Sequence, residues 1–196
     1  PSGETSSYRS NPLGLAEFTL SRRDPDYVRR AKQVRDFEQA RLAGELPDEL
    51  DDVYEAIHDI TGFEDVDAGS IEIGSTIYAR KPGDGSAREQ AASCQRVLGA
   101  LANIVEEYAT KRYRSNCMNW GMLPFQYAGD VELLNVGDWV FVPGIRDTLD
   151  GDLSHIRAFV IGDVGAREIE LSIADMTSEE RAIVKAGCLI NYNREK

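Results

Sequence analysis

Two glycines, Gly83 and Gly85, stand between an alternating apolar segment and a helical one, and they constrain this chain more than any other feature. Residues 70–79 alternate and carry Ile71, Ile73, Ile77 and Tyr78, as a strand does. From Ser86 to about Leu98 the sequence reads as a helix. The connection, Arg80-Lys81-Pro82-Gly83-Asp84-Gly85-Ser86, must therefore turn the chain sharply. Glycine allows that turn and lets the backbone come close to a ligand. A helix starting there offers free N–H groups and a partial positive charge. Such an end suits a carboxylate or a phosphate. Arg88, in the first turn, would add a bidentate contact to a carboxylate. A plainer reading fits the same residues: Ser86 and Glu89 form a capping box, and the glycines only shape the turn. The loop is not a Walker A motif, because no Gly-Lys-Ser/Thr follows. It is not a dinucleotide fingerprint either, because the third glycine is missing.

Strand and helix patterns interleave around this loop. Leu101–Val105, Leu123–Tyr127, Trp139–Val142, Ile156–Ile161 and Glu168–Ile173 read as strands, and Glu107–Asn116 as a helix. Thr177 with Glu180 is a capping box for a last helix, and Gly187 is a natural residue just past its end. Upstream, Asp24-Pro25-Asp26 looks like a helix start, with Val28, Ala31, Val34 and Phe37 at helical spacing up to about Gly44. A second helix follows Leu46-Pro47, with Leu50, Val53, Tyr54, Ile57 and Ile60 on one stripe, and ends near Thr61-Gly62. Residues 1–24 are polar and turn-rich without a period. The expected fold is α/β, a mixed sheet or open barrel flanked by helices. Three stretches are expected: an N-terminal segment (1–24), a helical insertion (25–62) and a core (63–196).

Composition limits the function classes. At 196 residues and 42% hydrophobic, the chain can bury a core without staples. Its net charge of −12 repels nucleic acid and anionic membranes at long range. No apolar run is long enough to span a bilayer, and the N-terminus lacks a signal-peptide pattern. The opening PSGETSSYRSNP reads as a piece of a longer chain. Cys94, Cys117 and Cys188 match no zinc or redox spacing. They read as buried or half-buried thiols of a cytoplasmic protein, and the close spacings of iron–sulfur ligands are absent.

The order of motifs resembles a known family. Gly83-Asp84-Gly85-Ser86-Ala87-Arg88-Glu89 is similar to the Gly-x-Gly-Ser-Ser-Arg-Glu signature of the swivelling domain of aconitases and isopropylmalate dehydratases. Asn103-Ile104-Val105, Tyr113-Arg114-Ser115-Asn116, Gly121-Met122-Leu123-Pro124 and Leu189-Ile190-Asn191-Tyr192 resemble further family elements in the expected order. Gly3 followed by Tyr8-Arg9 resembles an N-terminal one. The resemblance implies a β/β/α swivelling domain of a hydro-lyase acting on a hydroxy-polycarboxylic acid. It implies Ser86 as the catalytic base, and Arg88, Arg9, Gly85 and Ala87 as substrate-binding positions. It also implies a [4Fe-4S] cluster carried by other domains of the same protein or by a large subunit, with none bound by this chain. Alone, the chain would then be inactive.

The sequence departs from the family where Ala87 replaces the second serine and where Lys81-Pro82 precedes the loop. Helices 25–61 have no counterpart in the pattern. Two alternatives stand beside the fused enzyme domain. One is a separate small subunit of an isopropylmalate dehydratase-type enzyme. The other is a non-catalytic module that binds a polycarboxylate. Other polar residues read as ordinary. His58 and His155 are surface or satisfied histidines, and Asp147, Asp150 and Asp152 form a solvated turn rather than a calcium loop. Lys111, Arg112 and Arg114 form a basic patch that faces either solvent or a cleft.

Overall fold

The computed structural model describes residues 8, 10–21 and 24–194. The sheet is divided in two. Strands β1 (Ser75–Ala79), β2 (Ala100–Val105) and β3 (Leu123–Gln126) form one sheet in that order, all parallel. Strands β4 (Trp139–Phe141), β5 (Ile156–Gly162) and β6 (Gly165–Leu171) form a second, antiparallel sheet. The paired backbone bonds of Gln126 and Ser172, at 2.7 and 2.9 Å, link the two, so the sheet is mixed, and no barrel closes among the described residues.

Parallel neighbours need crossover connections, and helices supply them. Helix α4 (Arg88–Val97) joins β1 to β2, and α5 (Lys111–Asn119) joins β2 to β3. The two helices pack on each other over Ala92, Tyr113, Cys117 and Met122. Side chains of β2 alternate as a pleat demands. Ala102 and Ile104 join the cluster shared with the antiparallel sheet, while Asn103 points to α5 and meets Tyr113 and Cys117. Strand β5 is covered on both faces. Ile156, Ala158 and Val160 meet Ile104 and Phe125, while Phe159 and Ile161 belong to a second cluster with Leu50, Tyr54, Ile57 and Ile60.

That second cluster explains the upstream helices. Helix α3 (Asp51–His58), led in by a 3₁₀ turn at Asp48–Leu50, puts its apolar stripe on the outer face of the antiparallel sheet. Helix α2 (Tyr27–Leu42) spans both sheets. Tyr27 and Ala31 pack with Cys94 and Leu98 near the parallel sheet, and Val34 and Phe37 reach the α3 cluster, with Phe37 6.4 Å from Trp139.

Several elements differ from the sequence expectation. Residues 12–21, read as turn-rich, form helix α1 (Pro12–Ser21), whose Leu15 and Ala16 are buried against α4. Leu13, Leu15, Phe18 and Leu20 do not lie on a single stripe, which hid the period. Strand β1 begins at Ser75, because residues 68–70 take a 3₁₀ turn with Asp67 accepting from Gly69 N. Helix α5 begins at Lys111 instead of Glu107. Helix α7 (Ser178–Lys185) has both halves of the Thr177/Glu180 capping box. Two short helices, α6 (Ile145–Thr148) and α8 (Leu189–Arg194), have no counterpart among the elements read from the sequence. No helix is long and apolar enough to cross a membrane among the described residues.

Candidate functional site

Loops that leave the C-terminal ends of parallel strands gather on one edge of a sheet, where open α/β proteins bind ligands. Here the loop after β1 (residues 80–87) lies along the loop after β2 (106–110). Ala79 O, Arg80 O and Pro82 O accept from Glu106 N, Glu107 N and Ala109 N at 3.2, 3.0 and 2.9 Å. The glycine loop is therefore zipped to its neighbour up to Pro82, and Gly83 continues the contact. It has φ +99°, and a Cβ there would sit 2.5 Å from Tyr113 Cβ and 2.6 Å from Cγ. Only glycine fits that conformation and that approach. Gly85 is different: a Cβ there would meet nothing within 4 Å.

Ser86 and Gly85 are exposed, and Ala87 and Arg88 are half-buried. Among the described residues the Ser86 hydroxyl has no hydrogen-bond partner. The capping-box reading of Ser86 and Glu89 is corrected. Ala87 is the N-cap of α4, with no side-chain cap bond. Glu89 instead accepts from Trp120 Nε1 at 2.6 Å. Hydrogen bonds at this end begin with Ala91 N to Ala87 O at 3.0 Å. The N–H groups of Arg88, Glu89 and Gln90 have no backbone partner among the described residues, as expected of an uncapped helix start. They leave the partial positive charge of the α4 N-terminus uncovered.

Arg88 turns back over the loop. Its Nε donates to Gly83 O at 2.9 Å, and one Nη lies 3.4 Å from Asp84 O. Gly83 O also accepts from Thr110 Oγ1 at 3.0 Å, and the same hydroxyl caps α5 by accepting from Tyr113 N at 3.2 Å. Beneath lies a buried polar group. Tyr113 OH is 2.8 Å from Gln95 Nε2 and 3.0 Å from Asn103 Nδ2, and Asn103 Nδ2 is 3.4 Å from Cys117 Sγ. Burial pushes the Cys117 thiol up to about 12 and raises the Tyr113 phenol, so both stay protonated at neutral pH. Asn103, a polar residue inside the apolar run Leu101–Val105, was the only sequence sign of this network. Thr110 had none, because it lay within a stretch read as helix.

Charged residues beside the loop are paired. Lys81 Nζ meets Glu107 Oε1 at 2.6 Å, and Arg80 Nε meets Glu106 Oε1 at 3.6 Å. Of the basic patch, Lys111 and Arg112 are exposed. Arg114 is structural: one Nη donates to Ala174 O and Asp175 O at 2.6 and 2.9 Å, joining α5 to the segment after β6. His58 Nε2 is 2.9 Å from Val66 O, and His155 Nδ1 is 3.0 Å from Glu170. Cys94 and Cys117 are buried in different apolar clusters and Cys188 is half-buried. No group of three or more His, Cys, Asp or Glu residues converges on a metal site among the described residues. Arg9 and Gly3 lie outside the described residues.

Two hollows of the surface, about 420 and 340 Å³, both include Met176 and Arg181 and not the glycine loop. The second holds a hydroxyl–carboxylate pair, with Ser154 Oγ 2.7 Å from both carboxylate oxygens of Asp152. Arg181 is used in them to bind Leu149 O and Gly151 O, each at 2.7 Å. Ser86, exposed, and Arg88, half-buried, line neither hollow, an arrangement that can hold one side of a ligand and needs a second surface to enclose it.

Residues 72–130 match the family described as the aconitase C-terminal domain. That segment holds β1 to β3 and the whole glycine loop. A solved 3-isopropylmalate dehydratase (LeuD) from Methanocaldococcus jannaschii is similar at 24% identity and a TM-score of 0.44, over 64% of this chain and 66% of that one. No curated protein matches the chain.

Proposed function

We propose that this chain, related over residues 72–130 to the aconitase C-terminal domain, is the mobile domain or small subunit of a hydro-lyase that dehydrates and rehydrates a hydroxy-polycarboxylic acid. The observation that carries the reading is the coincidence of the family segment with the open α4 N-terminus, where an exposed Ser86 is followed directly by the Ala87 N-cap and by Arg88.

The reaction removes a proton from carbon next to a carboxylate, so it needs a base and positive groups for the developing charge. Ser86 is the base in this reading. A serine is weak in water, but its alkoxide would be stabilised by the partial charge of α4. Arg88 binds a substrate carboxylate through the guanidinium edge that faces away from Gly83 O, and Arg9 binds another. Gly85 and Ala87 give the substrate room, since no side chain beyond a methyl projects from either. Holding the acid between such clamps supplies a large share of the barrier reduction.

The iron–sulfur cluster that the family resemblance implies has no place in the described residues, whose cysteines are separated and mostly buried. In this reading it belongs to a partner domain or subunit. The exposed position of the loop supports a site shared between two surfaces. The test is turnover of citrate, isocitrate and isopropylmalate by the complete assembly, reconstituted anaerobically with iron and sulfide. Appearance of the conjugated double bond in the ultraviolet supports the reading. Tight binding of an acid with no turnover by an intact cluster protein would favour the non-catalytic binding module, which Ala87 in place of a serine supports.

A further inference from the structure

The Gly83 carbonyl is shared between the first turn of α4 and the cap of α5. It accepts from Arg88 Nε at 2.9 Å and from Thr110 Oγ1 at 3.0 Å. A carbonyl has two lone pairs, and both are used. Thr110 cannot drift, because its oxygen also accepts from Tyr113 N as the cap of α5. Tyr113 in turn is 2% exposed and held between Gln95 and Asn103. Its ring leaves Gly83 no room for a Cβ. A continuous chain of contacts therefore runs from the buried network, through the α5 cap, to the Gly83 carbonyl and on to the guanidinium of Arg88.

The consequence is directional. A guanidinium has five N–H groups in a plane, and fixing Nε sets where the Nη edge points. A carboxylate bound end-on takes two N–H groups from that edge and leaves Nε on Gly83 O. We infer that Thr110 is a positioning residue for carboxylate recognition: it touches no substrate, and it acts by holding Gly83 O in the direction that aims Arg88. The inference rests on the proposed role of Arg88, but the aiming itself can be measured without any activity.

The test uses Thr110→Val, which keeps the shape and loses both hydrogen bonds, Thr110→Ser, which keeps both, and Thr177→Val, which removes in the same way the cap of helix α7, a helix that packs on α5 but makes no hydrogen bond to the glycine loop among the described residues. Hydrogen exchange of the Arg88 Nε–H is followed by NMR in the 196-residue chain. Exchange about three- to tenfold faster in Thr110→Val, with wild-type rates in Thr110→Ser and Thr177→Val, is the expected result. In the reconstituted assembly, Thr110→Val raises KM for the acid with little change in kcat, Thr110→Ser restores it, and Thr177→Val lowers stability alone. Unchanged or slower exchange in Thr110→Val overturns the proposal, as does an equal acceleration in Thr177→Val, which would show general loosening. If the assembly turns over no acid, the hydro-lyase reading fails and the exchange result still decides the aiming role.

Discussion

Replacing Gly83 with alanine tests the account of the loop at a single atom. The added Cβ falls 2.5 to 2.7 Å from Cβ, Cγ and Cδ1 of Tyr113. Tyr113 cannot step back, because its hydroxyl is tied to Gln95 and Asn103 and its backbone N–H to Thr110. Overpacking of this kind costs about 1–3 kcal/mol. The φ of +99° adds strain for any residue with a Cβ, about 1–3 kcal/mol more. The sum, about 2–6 kcal/mol, would lower the urea midpoint by about 1–3 M at an m-value of about 2 kcal/mol/M. Gly85→Ala is the internal control: its Cβ meets nothing within 4 Å, and its stability should stay within about 0.5 kcal/mol of the parent. Urea titrations of the three proteins followed by circular dichroism measure both. Equal midpoints for the two alanine variants would refute the close approach of Gly83 to Tyr113 and the positioning argument built on it.

Further outcomes follow from burial. The Cys117 thiol and the Tyr27 phenol, with ordinary values of 9.0 and 10.0, are both pushed up to about 12 by burial. The unfolded chain ionises first, so the stability tied to these groups is complete below about pH 9 and is lost as pH rises toward about 12. Urea midpoints at about pH 8 and about pH 10.5 should show that fall, and Cys117→Ala should make it shallower; a pH-independent midpoint would contradict the burial argument. Native thiol labelling should modify Cys188 first and leave Cys94 and Cys117 untouched until unfolding. Early labelling of Cys117 would mean that the α4–α5 layer opens.

Much of this arrangement is legible in the sequence because it is local. The alternation at 75–79, the glycines at 83 and 85 and the Thr177/Glu180 box each specify their element from neighbours a few residues away. The apolar stripe of α3 is equally plain, but what it covers is not. Phe159 and Ile161, which receive it, lie about a hundred residues downstream. The division into a parallel and an antiparallel sheet is hidden for the same reason, since pairing joins distant segments. At the site, Ser86, Ala87 and Arg88 are adjacent in the chain, so the motif itself places them together. Their surroundings are not local. Thr110 reaches Gly83 only because the loops after β1 and β2 are zipped, and that zipping also delays the start of α5 from Glu107 to Lys111. Trp120 likewise takes Glu89 from the capping box that the sequence suggested.

The central claim, that Ser86 is the base of a hydro-lyase, is tested most directly by Ser86→Ala in the reconstituted assembly. The side chain is exposed and unpartnered among the described residues, so the variant should fold with a parental urea midpoint. Turnover of the accepted acid should fall by about 10²–10⁴-fold while binding of the acid is kept within a few-fold. Parental turnover in Ser86→Ala would contradict that claim.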